Sequence, residues 1–126
     1  MVVAGSDVTI QNSTFKDVKP KPRKDRHCIF VQARAHRVKI LNNTIFDCAG
    51  DGIQVAPNAS GPQNALIADN HLYITDKMIR PDGRACAEGA LDFKGGRGVV
   101  VRNNTMHGFR PTDKIAAAPA RTAQPS

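Results

Sequence analysis

The amino-acid sequence predicts an all-β solenoid, a parallel β-helix of about four coils, because one short phrase recurs along it at coil-like spacing. The phrase occupies Val8–Phe15, Val38–Ile45, Ala65–Leu72 and Val99–Met106. In each copy two apolar residues alternate with outward-facing ones, a pair of Asn-like residues follows, and an apolar residue closes the phrase. That reads as a strand, a tight turn and a return to the core. A second phrase falls between the copies, as Cys28–Gln32, Gly52–Ala56 and Ala90–Lys94. Its alternation places Ile29 and Val31, Ile53 and Val55, and Leu91 and Phe93 inward.

The first-phrase copies start 30, 27 and 34 residues apart, so the strands repeat while the loops vary. An isolated coil cannot bury its apolar face, whereas coils stacked strand on strand in parallel can. A βαβ sheet needs helical crossovers with an apolar period near ~3.6, and no segment carries that pattern convincingly. An antiparallel sandwich has no need to keep the same Asn pair at the same offset.

The Asn pairs explain the turns. Asn tolerates left-handed backbone angles, and its amide both donates and accepts. Stacked coils align Asn12, Asn42, Asp69 and Asn103 in one row and Ser13, Asn43, Asn70 and Asn104 in another. Such ladders satisfy turn amides hidden from water, a structural task. His71 then stands where other copies hold Thr, as a ladder substitute.

Aromatic residues are only 5% of the chain and Trp is absent, so the core has to be aliphatic, as a narrow solenoid interior requires. No apolar run is long enough to span a membrane, and Met1–Ser6 does not read as a signal peptide. Residues 1–110 are read as β-helix repeats and 111–126 as an Ala/Pro-rich disordered tail. The absence of a capping element before Val8 and the abrupt end of the pattern after Phe109 suggest part of a longer solenoid.

Three cysteines are too many for one bridge and too few for two. Cys48 and Cys86 each precede an inward strand residue by five positions, Ile53 and Leu91, so they are expected to stack as a disulfide or as two thiols. Cys28 has no partner in that reading. The net charge of +7 concentrates between Lys16 and His27, where six of twelve residues are Lys or Arg. The segment is either a cationic rim for an anionic polymer or a solvated loop. Nucleic acid is the weaker partner, because no aromatic residues interleave with the charges to stack bases.

The repeat phrases, Asp51–Val55 and Glu88–Lys94 resemble the right-handed parallel β-helix repeat proteins, the pectate lyase-like superfamily that includes polygalacturonases and alginate-active enzymes. The resemblance implies work on an acidic polysaccharide, outside the cell or in the periplasm, with Ca²⁺ as the cation a lyase would use. The chain departs from both specific enzyme patterns. It lacks the Asp-Asp pair, Gly-His-Gly and Asn-x-Asp of polygalacturonases, and the Trp-Ile-Asp-His and Arg-x-Pro-x-x-Arg phrases of pectate lyases.

Within that frame the second-phrase strands carry the candidate site. Asp92 and Lys94 share an outward face, with Gln54 and then Phe30 below Asp92, and Gln32 on the neighbouring row. Asp51 and Glu88 stand at the turns entering these strands, and Arg97 and Arg102 follow. For β-elimination Lys94 is the expected base, Arg97 or Arg102 faces the uronate carboxylate, and Asp92 orients or binds a cation. For hydrolysis Asp92 pairs with Asp51 or Glu88. A non-catalytic module that binds polysaccharide or presents adhesive loops is the alternative, with no protein metal site in either case.

Overall fold

A computed structural model describes residues 1–16, 26–56 and 62–109. Among these, three strands make each coil. The first coil holds β1 (Val2–Val3), β2 (Thr9–Gln11) and β3 (Thr14–Lys16). The second holds β4 (Ile29–Val31), β5 (Lys39–Leu41) and β6 (Thr44–Phe46), and the third β7 (Ile53–Val55), β8 (Leu66–Ala68) and β9 (His71–Tyr73). The fourth holds β10 (Leu91–Phe93), β11 (Val100–Arg102) and β12 (Thr105–His107).

Stacking the coils produces three parallel four-stranded sheets. Sheet A runs β1-β4-β7-β10, sheet B β2-β5-β8-β11 and sheet C β3-β6-β9-β12. The first phrase is therefore a B strand, a corner and a C strand, and the second is an A strand. Register follows the phrases: Ile10, Ile40, Ile67 and Val101 stack in sheet B, and Phe15, Ile45, Leu72 and Met106 in sheet C. In sheet A, Ile29, Ile53 and Leu91 form one inward column, and Val3, Val31, Val55 and Phe93 the other. These columns form the core, and each fully buried Ile contributes about 1.5–3 kcal/mol.

The corner between sheets B and C is a closed hydrogen-bond ladder. Asn12, Asn42, Asp69 and Asn103 all hold left-handed backbone angles, with φ between 53° and 58°. Behind them, Asn43 Oδ1 accepts from the Ser13 amide, Asn70 Oδ1 from the Asn43 amide and Asn104 Oδ1 from the Asn70 amide, at 2.9–3.0 Å. Each side-chain NH₂ then donates back to the carbonyl of Ile10, Ile40 or Ile67.

The corner between sheets A and B repeats the device with different residues. Asp7, Arg37, Asn64 and Gly98 are left-handed there, with φ of 55–62°. The backbone amides of Asp7, Arg37 and Asn64 donate to His36, Gln63 and Arg97 carbonyls. At Gly98 a Cβ would lie 2.5 Å from Asn64 Oδ1, so a side chain there would have to displace the Asn64 amide.

Between β9 and β10 the chain leaves the solenoid and packs a small second core. Ile74, Met78, Ala85 and Ala87 bury there with Ala49. A short 3₁₀ turn at Asp76–Met78 and a bridge between Ile79 and Ala85 shape it. Asp47 fastens its start, accepting from the Thr75 amide and hydroxyl at 2.7 Å each.

The cysteine pairing differs from expectation. Cys28 bonds Cys48, with Cα atoms 5.5 Å apart, and Cys86 is a free thiol. Counting back five residues assumed equal turns before each A strand. The turns are unequal: the Gly50 amide donates to Arg26, which brings the end of the β6–β7 connection against the approach to β4. The core of the basic segment, residues 17–25, and the expected tail at 111–126 lie outside the described residues.

Candidate functional site

The outer face of sheet A is where the repeat pattern breaks down. Its central column reads Val2, Phe30, Gln54 and Asp92, four different residues stacked in register. The expected order of Asp92 over Gln54 over Phe30 is what the structure has. Their burial is not what an outward position implies, for Gln54 is 8% and Asp92 2% exposed. Phe30 is half-buried, with His27 stacked against it at 6.2 Å, and Gln32 is half-buried on the same strand's edge.

Asp51 enters this face from the turn before β7. Gly52 after it passes so close to the next coil that a Cβ would meet the Ala90 carbonyl at 2.7 Å and Leu72 at 2.8 Å. The Asp51 amide donates to His27 Nδ1 at 2.9 Å. Because that nitrogen accepts a hydrogen bond there and so carries no proton, its 3.5 Å approach to Asp51 Oδ2 is not a charge pair.

Two carboxyl groups converge on one amide. Gln54 Nε2 lies 3.4 Å from both Asp51 Oδ2 and Asp92 Oδ2, long and weak contacts that leave much of the carboxyl solvation unreplaced. Asp51 is 1% exposed, and its Oδ1 has no hydrogen-bond partner among the described residues. Burial first, then the charges of Glu88 and Asp92, push the Asp51 carboxyl up to about 7 against the opposing Gln54 bond. Asp92 has a counter-ion instead, for Lys94 Nζ lies 3.0 Å from its Oδ2. The result is an acid that keeps its proton toward neutrality beside a carboxylate paired with a cation. That asymmetry is what acid–base chemistry between two carboxyls requires.

The structure therefore gathers Asp51, Gln54, Glu88, Asp92 and Lys94. It does not gather both arginines. Arg102 ends β11 on sheet B, and Arg97 is exposed in the turn between β10 and β11. Two-residue alternation identified the outward column but not which sheet a residue beyond the next corner joins. His27 was missed as a neighbour of Asp51, since it is far away in sequence and flanks an unpatterned loop.

Calcium does not fit these residues. It takes about six to eight oxygen ligands, whereas Asp92 Oδ2 already faces an ammonium and an amide. Among the described residues no three acidic, histidine or cysteine side chains converge as metal ligands.

A family model for the right handed beta helix region matches residues 1–112. The chain belongs to the right-handed β-helix family. No curated protein and no solved structure matches it. Family membership gives this β-helix its coil geometry and handedness, while its chemistry has to be argued from its own side chains. Among the described residues no helix is long and apolar enough to cross a membrane.

Proposed function

We propose that this β-helix acts on an acidic polysaccharide laid along the outer face of sheet A, with Asp51 and Asp92 as its acid–base pair. The observation that carries the reading is the pair of buried carboxyls meeting at Gln54 Nε2, with one Asp51 oxygen lacking a partner among the described residues and Asp92 held by Lys94. Perturbed carboxyls of this kind concentrate at functional sites. Hydrolysis is favoured over β-elimination, because Lys94 serves Asp92 as counter-ion and Arg102 faces elsewhere. The Cys28–Cys48 bond supports an oxidising compartment, extracellular or periplasmic.

A binding module is the second reading, and the depth of the carboxyls favours it. Asp51 and Asp92 are almost fully covered, while Lys94 and Arg97 are exposed to meet uronate carboxylates. Incubation with polyuronates separates the cases. Reducing ends released without the ultraviolet absorbance of an unsaturated uronide indicate hydrolysis, and that absorbance indicates elimination. Binding with neither indicates the module. Hydrolysis is expected to disappear in Asp92→Asn and to decline as pH rises through about 7, where Asp51 loses its proton. Turnover unchanged in Asp92→Asn removes the pair from the chemistry, and failure to bind any polyuronate ends both readings.

A further inference from the structure

The outer face of sheet C carries two histidines that the acid pair does not involve. Its outward columns read Thr14, Thr44, His71, Thr105 and Lys16, Phe46, Tyr73, His107. His71 and His107 are diagonal neighbours on adjacent strands, since His71 stands opposite Thr105 and His107 opposite Tyr73. Both rings are exposed, and their Nε2 atoms meet at 2.7 Å.

Aromatic stacking fixes the rings. Tyr73 lies flat on Phe46 at 5.0 Å and His107 flat on Tyr73 at 5.2 Å, both within 2° of parallel. His71 tilts against Tyr73 at 4.7 Å. These separations match the spacing of about 4.7–4.9 Å between neighbouring strands, so the stack is set by the coils and turns only ring edges outward. A metal ion needs only the edge nitrogens of the two histidines.

We propose that His71 and His107 form a two-nitrogen site for a tetragonal divalent metal ion, of which Cu²⁺ and Ni²⁺ are the types. As they stand the two Nε2 atoms share a hydrogen bond, one ring donating and the other accepting according to tautomer. Once that proton leaves or moves to Nδ1, both lone pairs can turn to one ion and chelate it. With metal–imidazole bonds of about 2.0–2.1 Å, ligands at right angles stand about 2.9 Å apart and tetrahedral ligands about 3.4 Å. The observed 2.7 Å is nearer the first, so a slight rotation of either ring admits a tetragonal ion. Cu²⁺ and Ni²⁺ prefer that geometry, and Cu²⁺ heads the affinity order. No carboxylate stands in the outward columns of sheet C, which leaves Mg²⁺ and Ca²⁺ without hard ligands. The one charged side chain there, Lys16, is on β3 at the far edge of the sheet. Water completes the coordination.

Titration of the whole chain with Cu²⁺, and separately with Ni²⁺ and Mg²⁺, tests the site by visible absorption and by electron paramagnetic resonance. The expected result is one Cu²⁺ per chain with two equatorial imidazole nitrogens, Ni²⁺ bound more weakly and Mg²⁺ not at all. Since losing even an outer-shell partner weakens metal sites by about tenfold or more, His71→Thr and His107→Phe should each weaken Cu²⁺ binding at least that much. Both variants use residues their columns already hold at equivalent coils, so the fold is expected to persist, with circular dichroism as the check. Affinity unchanged in either variant, a single coordinated imidazole, or equal competition by Mg²⁺ overturns the proposal.

Discussion

The corner between sheets B and C and the outer face of sheet A both carry polar groups shielded from water, and they handle them in opposite ways. At the corner the same amide recurs from coil to coil, and Asn43 and Asn70 are closed into donor and acceptor chains while 2% exposed. On sheet A the column changes residue at every coil, and among the described residues an Asp51 oxygen is left without a partner. Repetition marks groups that hold the solenoid together. Departure from it marks groups whose arrangement costs stability and so calls for another explanation.

The sharpest way to break the comparison is to delete a ladder amide. Asn70→Ala strips partners from the Asn43 amide, the Asn43 side chain and the Ile40 carbonyl. With about 1–3 kcal/mol for each buried group left unsatisfied, a loss of about 3–5 kcal/mol is expected in denaturant melts. A loss under about 1 kcal/mol would mean that water replaces the ladder freely.

On sheet A the sign reverses. The Asp51 carboxyl is raised to about 7 in the folded protein from 3.8 as the ordinary value, so the folded state holds the extra proton between those limits. Stability therefore falls as pH rises from about 4 to about 7 and is level above. Asp51→Asn keeps a donor toward Asp92 without the charge. It should flatten that dependence and stabilise the protein near and above neutrality, by an amount on the order of 4 kcal/mol at most. Melting at several pH values checks this, and a variant less stable than the parent at alkaline pH refutes it.

The smallest effect belongs to the exposed edge of the ladder. Asn42 holds φ at 53° and donates to Asn12 Oδ1 at 2.7 Å in contact with solvent. Asn42→Gly keeps the backbone angle and loses only that bond, so a change within about 1 kcal/mol is expected. A larger loss would extend the ladder's structural role to its outer row.

The same contrast explains how much was legible in the sequence. Strand register and the Asn ladder are legible because period two and an Asn-like pair recur in every coil. The second left-handed corner escaped notice because Asp7, Arg37, Asn64 and Gly98 share a backbone angle and no chemistry. The disulfide was misplaced because residue counting holds within strands and fails across unequal turns. The outward column of the site is legible, but the burial of Gln54 and Asp92 is not, because alternation assigns a face and not what covers it. The His71 and His107 rings meet diagonally, from different columns, so neither phrase pairs them.

The Cys28–Cys48 link also bears on how the molecule yields to force. Tension applied at the N-terminus strips the first coil and then jumps from Cys28 directly to Cys48, leaving residues 29–47 slack and out of the line of pull. Stretched under oxidising conditions, the chain would come up short by that segment, and adding a reductant would restore the missing length.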